Sequence, residues 1–265
     1  MTFSPVRAAG TVRGAAMVAH ADFWTIYTWR SWSFAWLVRL LCQVVFFALV
    51  GVLVGDPEYT SFIIVGAAMM VCVTETMLTS SSTCWERMQG RMPLIAASPV
   101  EPVLLFFGRS VFWPVSAAVT TSVALLAVPP FFGDPWDLWK IPVVIVVAAL
   151  TALSTYCLAL VVGALALSFT EVRNIASTVM TLYTTAFSGA MVPLDFWPPV
   201  LQWIAQALPV THGLDAVRAL QDGDLGTVAA ASGLMLAVGA VWFVVATLAF
   251  RRVLARARKG RGGLD

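Results

Sequence analysis

The chain has 265 residues, 60% of them hydrophobic and only 11% charged, with 11 tryptophans and a formal net charge of +2. A water-soluble domain of this length carries about a quarter charged residues, so the composition excludes that class and indicates an all-α integral membrane protein. The small net charge gives no support to a nucleic-acid partner, and none is expected; the bilayer is the first partner.

Residues 1–32 form an arm that lacks an apolar stretch followed by a small-residue cleavage site and carries His20, Asp22 and Arg30, so it does not read as a signal peptide. Within it, "HADFWTIYTWRSW" mixes Phe23, Trp24, Ile26, Tyr27, Trp29 and Trp32 with polar residues, which predicts an amphipathic helix lying in the membrane interface. Six apolar runs follow, near 33–54, 60–82, 104–128, 141–168, 175–194 and 228–250. Each is long enough to cross a bilayer core of about 30 Å as a helix, and each is continuous, unlike the alternating segments of an outer-membrane barrel. Residues 33–250 are thus expected to form one six-span domain, since no internal repeat or low-complexity segment divides them.

Two connections stand out. After the second run, residues 84–102, "CWERMQGRMPLIAASPVEP", carry acids, arginines, prolines and a glycine, yet their middle still reads as a short charged helix. After the fifth, residues 195–224 are long and rather apolar. Pro198 and Pro199 suit a helix start, Val200, Leu201, Trp203, Ile204, Ala207 and Leu208 follow at helical spacing, and Pro209 ends that helix. A second short helix is expected from about Gly213 to Leu220, the pair dipping back into the outer leaflet.

Arginine placement sets orientation, because positive residues in short loops are retained on the cytoplasmic side. Placing the arm, the loops after runs two and four, and the tail 251–265 inside collects Arg7, Arg13, Arg30, Arg87, Arg91, Arg173 and the basic "RRVLARARKGRGG" there. The other side keeps Lys140 and Arg218 with Asp56, Glu58, Asp134, Asp137, Asp195, Asp215, Asp222 and Asp224. Both termini are therefore expected in the cytoplasm of a bacterial cell whose inner membrane the chain crosses.

Polar residues inside spans face the bundle, a partner or a water-filled route. In the fifth run Asn174, Ser177, Thr178, Thr181, Thr184, Thr185 and Ser188 advance by threes and ones, one polar stripe on an apolar helix; in the second, Glu75, Thr79, Ser82 and Glu86 make another. Either stripe serves interhelical packing or lines a pathway, for which Glu75, Thr79, Ser82, Ser177, Thr178, Thr181, Thr184, Thr185 and Ser188 are the candidates. Glu75 is also expected to pair with Arg39 or Arg109.

Several chemistries lack their residues. A P-loop needs lysine followed by serine or threonine, but Lys140 precedes Ile141 and Lys259 precedes Gly260. His20 and His212 fall on opposite sides of the membrane, and Cys42, Cys72, Cys84 and Cys157 show no zinc or dithiol spacing, so no catalytic, metal or cofactor residue is assigned. A membrane enzyme using Glu75 as acid or base on a lipid-linked substrate is the alternative from another class.

Glu86-Arg87, Gly90, "LIAASPVEPVLLFFGRSV" with Ser98-Pro99 and Gly108-Arg109, and then "SGAMVPLDFWPPVLQWIAQALPVTHGLDAVRAL", together resemble the membrane permeases of type-2 ABC exporters, in the branch of daunorubicin-resistance and nodulation lipo-oligosaccharide permeases. The resemblance covers essentially the whole chain. It implies a transport subunit rather than an enzyme, paired with a second copy or a paralogue, with ATP and Mg bound on a separate cytoplasmic ABC ATPase. It implies that the N-terminal helix is a connecting helix and that 84–102 is a coupling helix meeting the ATPase through Trp85, Glu86, Arg87, Gly90, Ser98 and Pro99. Spans two and five would line the route, and the re-entrant helices, with Pro193, Trp197, Pro198, Pro209, Thr211 and His212, would form an outer gate. The cargo implied is an amphipathic drug, lipid or glycolipid, with a polysaccharide or lipid-linked saccharide as the alternative. Many relatives follow the coupling glycine with threonine and an acid, whereas Gly90 here precedes Arg91, Met92 and Pro93.

Overall fold

The computed structural model describes residues 5–26, 28, 30–91, 95, 102–168 and 173–258. Among these the regular structure is helical throughout. Helix α1, Pro5–Ile26, begins well before the aromatic segment that predicted it, because the alanine-rich stretch ahead of that segment has no proline after Pro5 and its alanines outweigh Gly10 and Gly14. A π-helical stretch, Ser31–Leu37, leads into α2, Val38–Val54. Helix α3, Pro57–Met88, has 32 residues and opens with Pro57 in its first turn and the Asp56 side chain accepting the Glu58 amide. At about 48 Å it is longer than a bilayer core, so its last turns project into the segment read as coupling.

The third apolar run is two helices, α4, Pro102–Ser110, and α5, Phe112–Ala127. Pro114 explains the break: it has no amide to give the Ser110 carbonyl, and its ring crowds the preceding turn. A short turn, Pro129–Phe132, precedes α6, Ile141–Ser168. Helix α7, Arg173–Phe187, is shorter than the run 175–194 that predicted it, the chain turning away at Gly189 (φ 84°). After a turn at Leu194–Phe196 come α8, Pro199–Gln206, α9, Pro209–Gln221, and α10, Leu225–Arg258. Helix α9 starts four residues ahead of the expected Gly213 because Pro209, which ends α8, also suits the first turn of the next helix.

Among the described residues, five stretches are long and apolar enough to cross a membrane: Phe34–Val54, Pro57–Trp85, Phe112–Phe132, Ile141–Leu167 and Leu225–Arg256. Helix α7, with 15 residues, occupies the place of the sixth expected run. Burial orders them. The most apolar window of α3 is 83% buried and that of α6 67%, whereas those of α2 and α10 are 22% buried, so α3 and α6 form the centre and the first and last spans the flanks. The main core joins Val65, Met69 and Met70 of α3, Val144, Ala148 and Leu158 of α6, and Leu214 and Val217 of α9. A second, smaller core at the other end of the bundle joins Val103 and Phe106 of α4, Leu160, Ala164 and Leu167 of α6, and Phe250 and Leu254 of α10.

The connections assigned to one side meet at one end. Ser61 Oγ donates to Asp134 Oδ2 (2.6 Å), Gln221 Nε2 to both of those residues (2.9 and 3.1 Å), and Lys140 Nζ to the Gln221 carbonyl (2.9 Å). Between them lies a cleft of about 880 Å³ lined by Asp56, Glu58, Asp134, Arg218 and Asp222.

Candidate functional site

Helix α3 meets α7 and the turn that follows it: Gly66 faces the Ala190 carbonyl so closely that a β-carbon would collide with it, and Thr185 Oγ1 lies 3.6 Å from Met70 Sδ. Followed along α3, that face stays partly uncovered at Thr74, Leu78, Ser81 and Ser82 and ends at exposed Trp85, while residues on the other faces are buried. The matching line on α7 descends from Thr185 through Thr181 to exposed Thr178 and Asn174. Two polar, half-open helix faces therefore run side by side from a closed junction. In both, hydroxyls bond back to their own helix: Thr181 to the Ser177 carbonyl, Thr185 to that of Thr181, Thr74 to that of Met70, and Ser177 to that of Asn174. This satisfies them without a ligand and leaves their oxygen lone pairs toward the opening.

The sequence-predicted pathway divides accordingly. Thr178, Thr181 and Thr185 lie on the half-open line and Ser177 beside it, while Thr184 and Ser188 are buried on the inner face of α7. On α3, Glu75 and Thr79 are fully buried inside the bundle, and Ser82 sits at the edge with its hydroxyl on the Thr79 carbonyl. Thr74, Leu78 and Ser81 were missed. Their spacing was equally readable, but α3 carries hydroxyls on every face from Thr74 to Thr83, so spacing alone could not choose.

Glu75 belongs to a different cluster. Trp36 Nε1 donates to Glu75 Oε1 at 2.9 Å, and Trp32 Nε1 donates to Ser116 Oγ at 3.2 Å. Trp32 and Trp36, four residues apart, share one face of the π-helical stretch, and both indoles reach from it to α5 and α3. Ser116 and Thr120 of α5 lie beside the same carboxyl. Arg39 approaches through the indole, its guanidinium 4.5 Å from the centroid of the Trp36 ring. The expected pairing of Glu75 with Arg39 thus has Trp36 between its partners.

Of the coupling residues, Trp85 is exposed at the end of α3, and Arg87 Nη1 donates to the Leu167 carbonyl at 2.6 Å, tying the last turn of α3 to that of α6. Gly90 follows with φ 67°, the left-handed turn that ends the helix. Ser98, Pro99 and the side chain of Glu86 lie outside the described residues. Beyond them, α1 crosses α4 at Gly108, where a β-carbon would sit 2.7 Å from both Ala15 Cβ and the Val12 carbonyl oxygen.

Two of the residues expected at an outer gate, Thr211 and His212, bond to the turn between α8 and α9. Thr211 Oγ1 donates to the Ala205 carbonyl (2.9 Å), His212 Nε2 lies 2.9 Å from the Gln206 carbonyl, and Trp242 Nε1 donates to the Ala207 carbonyl (2.7 Å). Three consecutive carbonyls where α8 ends, those of Ala205, Gln206 and Ala207, are thus met by side chains of α9 and α10, that of Ala205 in addition to the Leu208 amide. Pro209 is buried at the start of α9, whereas Pro193 and Pro198 are exposed beside Trp197. Trp197 packs edge-on against Phe187 (4.8 Å) and Phe196 (5.4 Å). Trp242 was not foreseen, since nothing in a long apolar run marks a capping donor.

The profile of the ABC-2 type transporter family matches residues 23–221, from the end of α1 to the end of α9. The chain belongs to this family. It is similar to Nodulation protein J of Rhizobium leguminosarum bv. viciae, 27% identical over 215 residues that make up 78% of this chain and 81% of that protein. The protein of the same name from Rhizobium leguminosarum bv. trifolii is 27% identical over 175 residues, 64% of each chain. That from Neorhizobium galegae is 25% identical over 169 residues, 62% of this chain and 63% of the relative. The chain thus spans a little less than two thirds of the length of two of these three relatives. Family membership and five described stretches long and apolar enough to cross a membrane make it a multi-pass membrane protein.

Proposed function

We propose that the chain crosses the bacterial inner membrane six times, with both termini in the cytoplasm, and carries an amphipathic drug, lipid or glycolipid outward. Energy comes from ATP hydrolysed with Mg on a separate cytoplasmic ABC ATPase, and a second permease, identical or paralogous, completes the route. The observation carrying this reading is the pair of polar faces on α3 and α7, closed at Gly66–Ala190 and half-open from Thr74 and Thr181 toward Trp85 and Asn174. Hydroxyls at regular spacing beside aliphatic side chains suit a cargo with both polar and apolar parts. The closed junction lies toward the acidic end, so the route in this conformation is open to the cytoplasm.

The helices α8 and α9 form a re-entrant pair. Their turn is bonded to Trp242, about 26 Å along α10 from Leu225 and so halfway along that helix, well inside the span Leu225–Arg256. Backbone at that depth has no water to bond, so the capping by Thr211, His212 and Trp242 lets the pair stand there as an outer gate. Closure of the ATPases around ATP would draw the coupling segments together, and α3, tied to α6 through Arg87, would move with them.

A saccharide-bearing cargo is favoured by one observation: Tyr183, Phe187, Trp197 and Phe196 form a continuous row of rings, neighbouring centroids 4.8 to 5.4 Å apart, running from α7 to the turn at Leu194–Phe196. Such ring faces suit the apolar faces of sugars as well as drugs. Reconstitution with the ATPase in liposomes tests the function, using a fluorescent phospholipid, a fluorescent glycolipid and rhodamine 6G as probes. ATP-dependent outward movement of at least one is expected; no movement of any, with no stimulation of ATP hydrolysis by the permease, sinks the proposal.

A further inference from the structure

The broken third span has a pin. Helix α4 belongs to the smaller core at the end that bears Trp85, with Phe106 stacked on Phe250 of α10 at 4.7 Å and α1 across Gly108, whereas α5 belongs with α3 and α6. The break at Val111 is where these two groups part, and α4 directly follows the segment 84–102. At that level Tyr156 of α6 is fully buried. Its hydroxyl lies 2.6 Å from Ser110 Oγ and 2.9 Å from the Phe107 carbonyl, and its ring packs against Phe107 at 5.2 Å. Ser110 Oγ in turn reaches the Phe106 carbonyl at 2.7 Å.

Two hydroxyl protons thus serve three oxygen contacts. In one arrangement Ser110 donates to Phe106 and Tyr156 to Ser110; in the other Tyr156 donates to Phe107 and Ser110 to Tyr156. The joint keeps two bonds either way, so it shifts its bonding without exposing an unpaired buried group. We propose that Tyr156 is the positioning residue of this joint, holding α4 to α6 so that displacement of α4 by the coupling segment passes into the transmembrane bundle. This rests on the transporter reading. Without the pin, α4 would swing on the Val111 break and its movement would be lost there.

The test is hydrogen exchange read by mass spectrometry on the permease–ATPase complex in lipid nanodiscs, nucleotide-free and trapped with a non-hydrolysable ATP analogue. In the unsubstituted complex, the analogue is expected to change protection in α4 and also in α5 and α6. In Tyr156→Phe, which keeps the ring, the change should stop at α4, and the amides of residues 110–112 should exchange about tenfold faster, the factor that loss of one net buried hydrogen bond gives. Ser110→Ala should behave alike, and Ser110→Thr, which retains a hydroxyl, like the unsubstituted complex. A nucleotide response still reaching α5 and α6 in Tyr156→Phe overturns the assignment, as does a loss of protection spread evenly over the whole bundle, the mark of a packing role. If Tyr156→Phe does not accumulate, the Ser110 pair decides by the same readout. Absence of any nucleotide response in α4 of the unsubstituted complex overturns the transporter reading and this inference with it.

Discussion

A carboxyl at the centre of a helix bundle needs donors, and Glu75 draws one from outside its own helix. Replacing it with alanine leaves Trp36 Nε1 without its acceptor in a buried site, which costs about 1–3 kcal/mol. Glu75→Gln keeps a carbonyl oxygen in that place, so it should melt close to the native chain in detergent while Glu75→Ala melts several degrees lower; equal melting of the two would sink the indole bond as the stabilising contact. Asp224 lies at the other extreme of exposure. Its carboxylate caps α10 by accepting the Thr227 hydroxyl and the amides of Thr227 and Gly226, and these bonds hold its pKa below the usual 3.8. A depressed folded pKa gives stability that is complete above about 3.8 and is lost as pH falls from there through the lower folded value. The melting advantage of the native chain over Asp224→Asn should therefore hold from neutral pH down to that point and shrink below it, as calorimetry across pH would record. The acid at Glu75 was legible as an unusual intramembrane charge. Its indole partner was not, because the spacing of Trp32 and Trp36 puts them on one helix face but cannot say which neighbouring helix that face meets.

The apolar runs foretold which helices exist better than where they break. Runs two and four became α3 and α6 nearly as read, since a continuous apolar stretch of that length has one economical structure in a bilayer. Run three broke at Val111 because of Pro114, a residue visible in the sequence whose effect was masked by the apolar residues on both sides. The α8–α9 pair was legible from its prolines and spacing, but not its capping, which depends on Trp242 arriving from a helix outside the segment. Close helix approach is likewise a property of pairs. Gly66 looks like any small residue in α3 until the Ala190 carbonyl is found against it, which makes the junction of α3 and α7 intolerant of bulk. Gly66→Val should force the two apart at a cost of about 1–3 kcal/mol. Thermal unfolding would show this as a lowered midpoint, whereas Gly10→Val, with nothing within 4 Å of its added carbon, should leave the midpoint unchanged.

On the scale of the whole molecule, two polar stripes were read from the sequence and the bundle uses them differently. The α7 stripe borders the half-open face for part of its length, while the α3 residues beside it are Thr74, Leu78 and Ser81, with Ser82 at its edge, one position away from Glu75 and Thr79 of the stripe read from the sequence. A single position is about 100° of rotation on a helix, enough to exchange the bundle interior for the route, and only packing against α5 and α6 fixes which residues turn inward. Solvent access separates the two assignments. With Cys42, Cys72, Cys84 and Cys157 replaced, single cysteines at Thr74, Leu78, Ser81 and Thr178 should react with a membrane-impermeant thiol reagent supplied from the cytoplasmic side. Cysteines at Glu75 and Thr79, both fully buried, should not. Trapping the ATPase complex with a non-hydrolysable ATP analogue should then protect the first group, as the inner ends of α3 and α7 close and the junction at Gly66 opens. Reaction at Thr79 with none at Thr74 would move the route to the interior stripe, and unchanged reactivity on trapping would leave α3 and α7 without a part in the cycle. Arg87→Glu should abolish the protection while leaving hydrolysis intact, because it breaks the bond to the Leu167 carbonyl through which the last turn of α3 moves with α6.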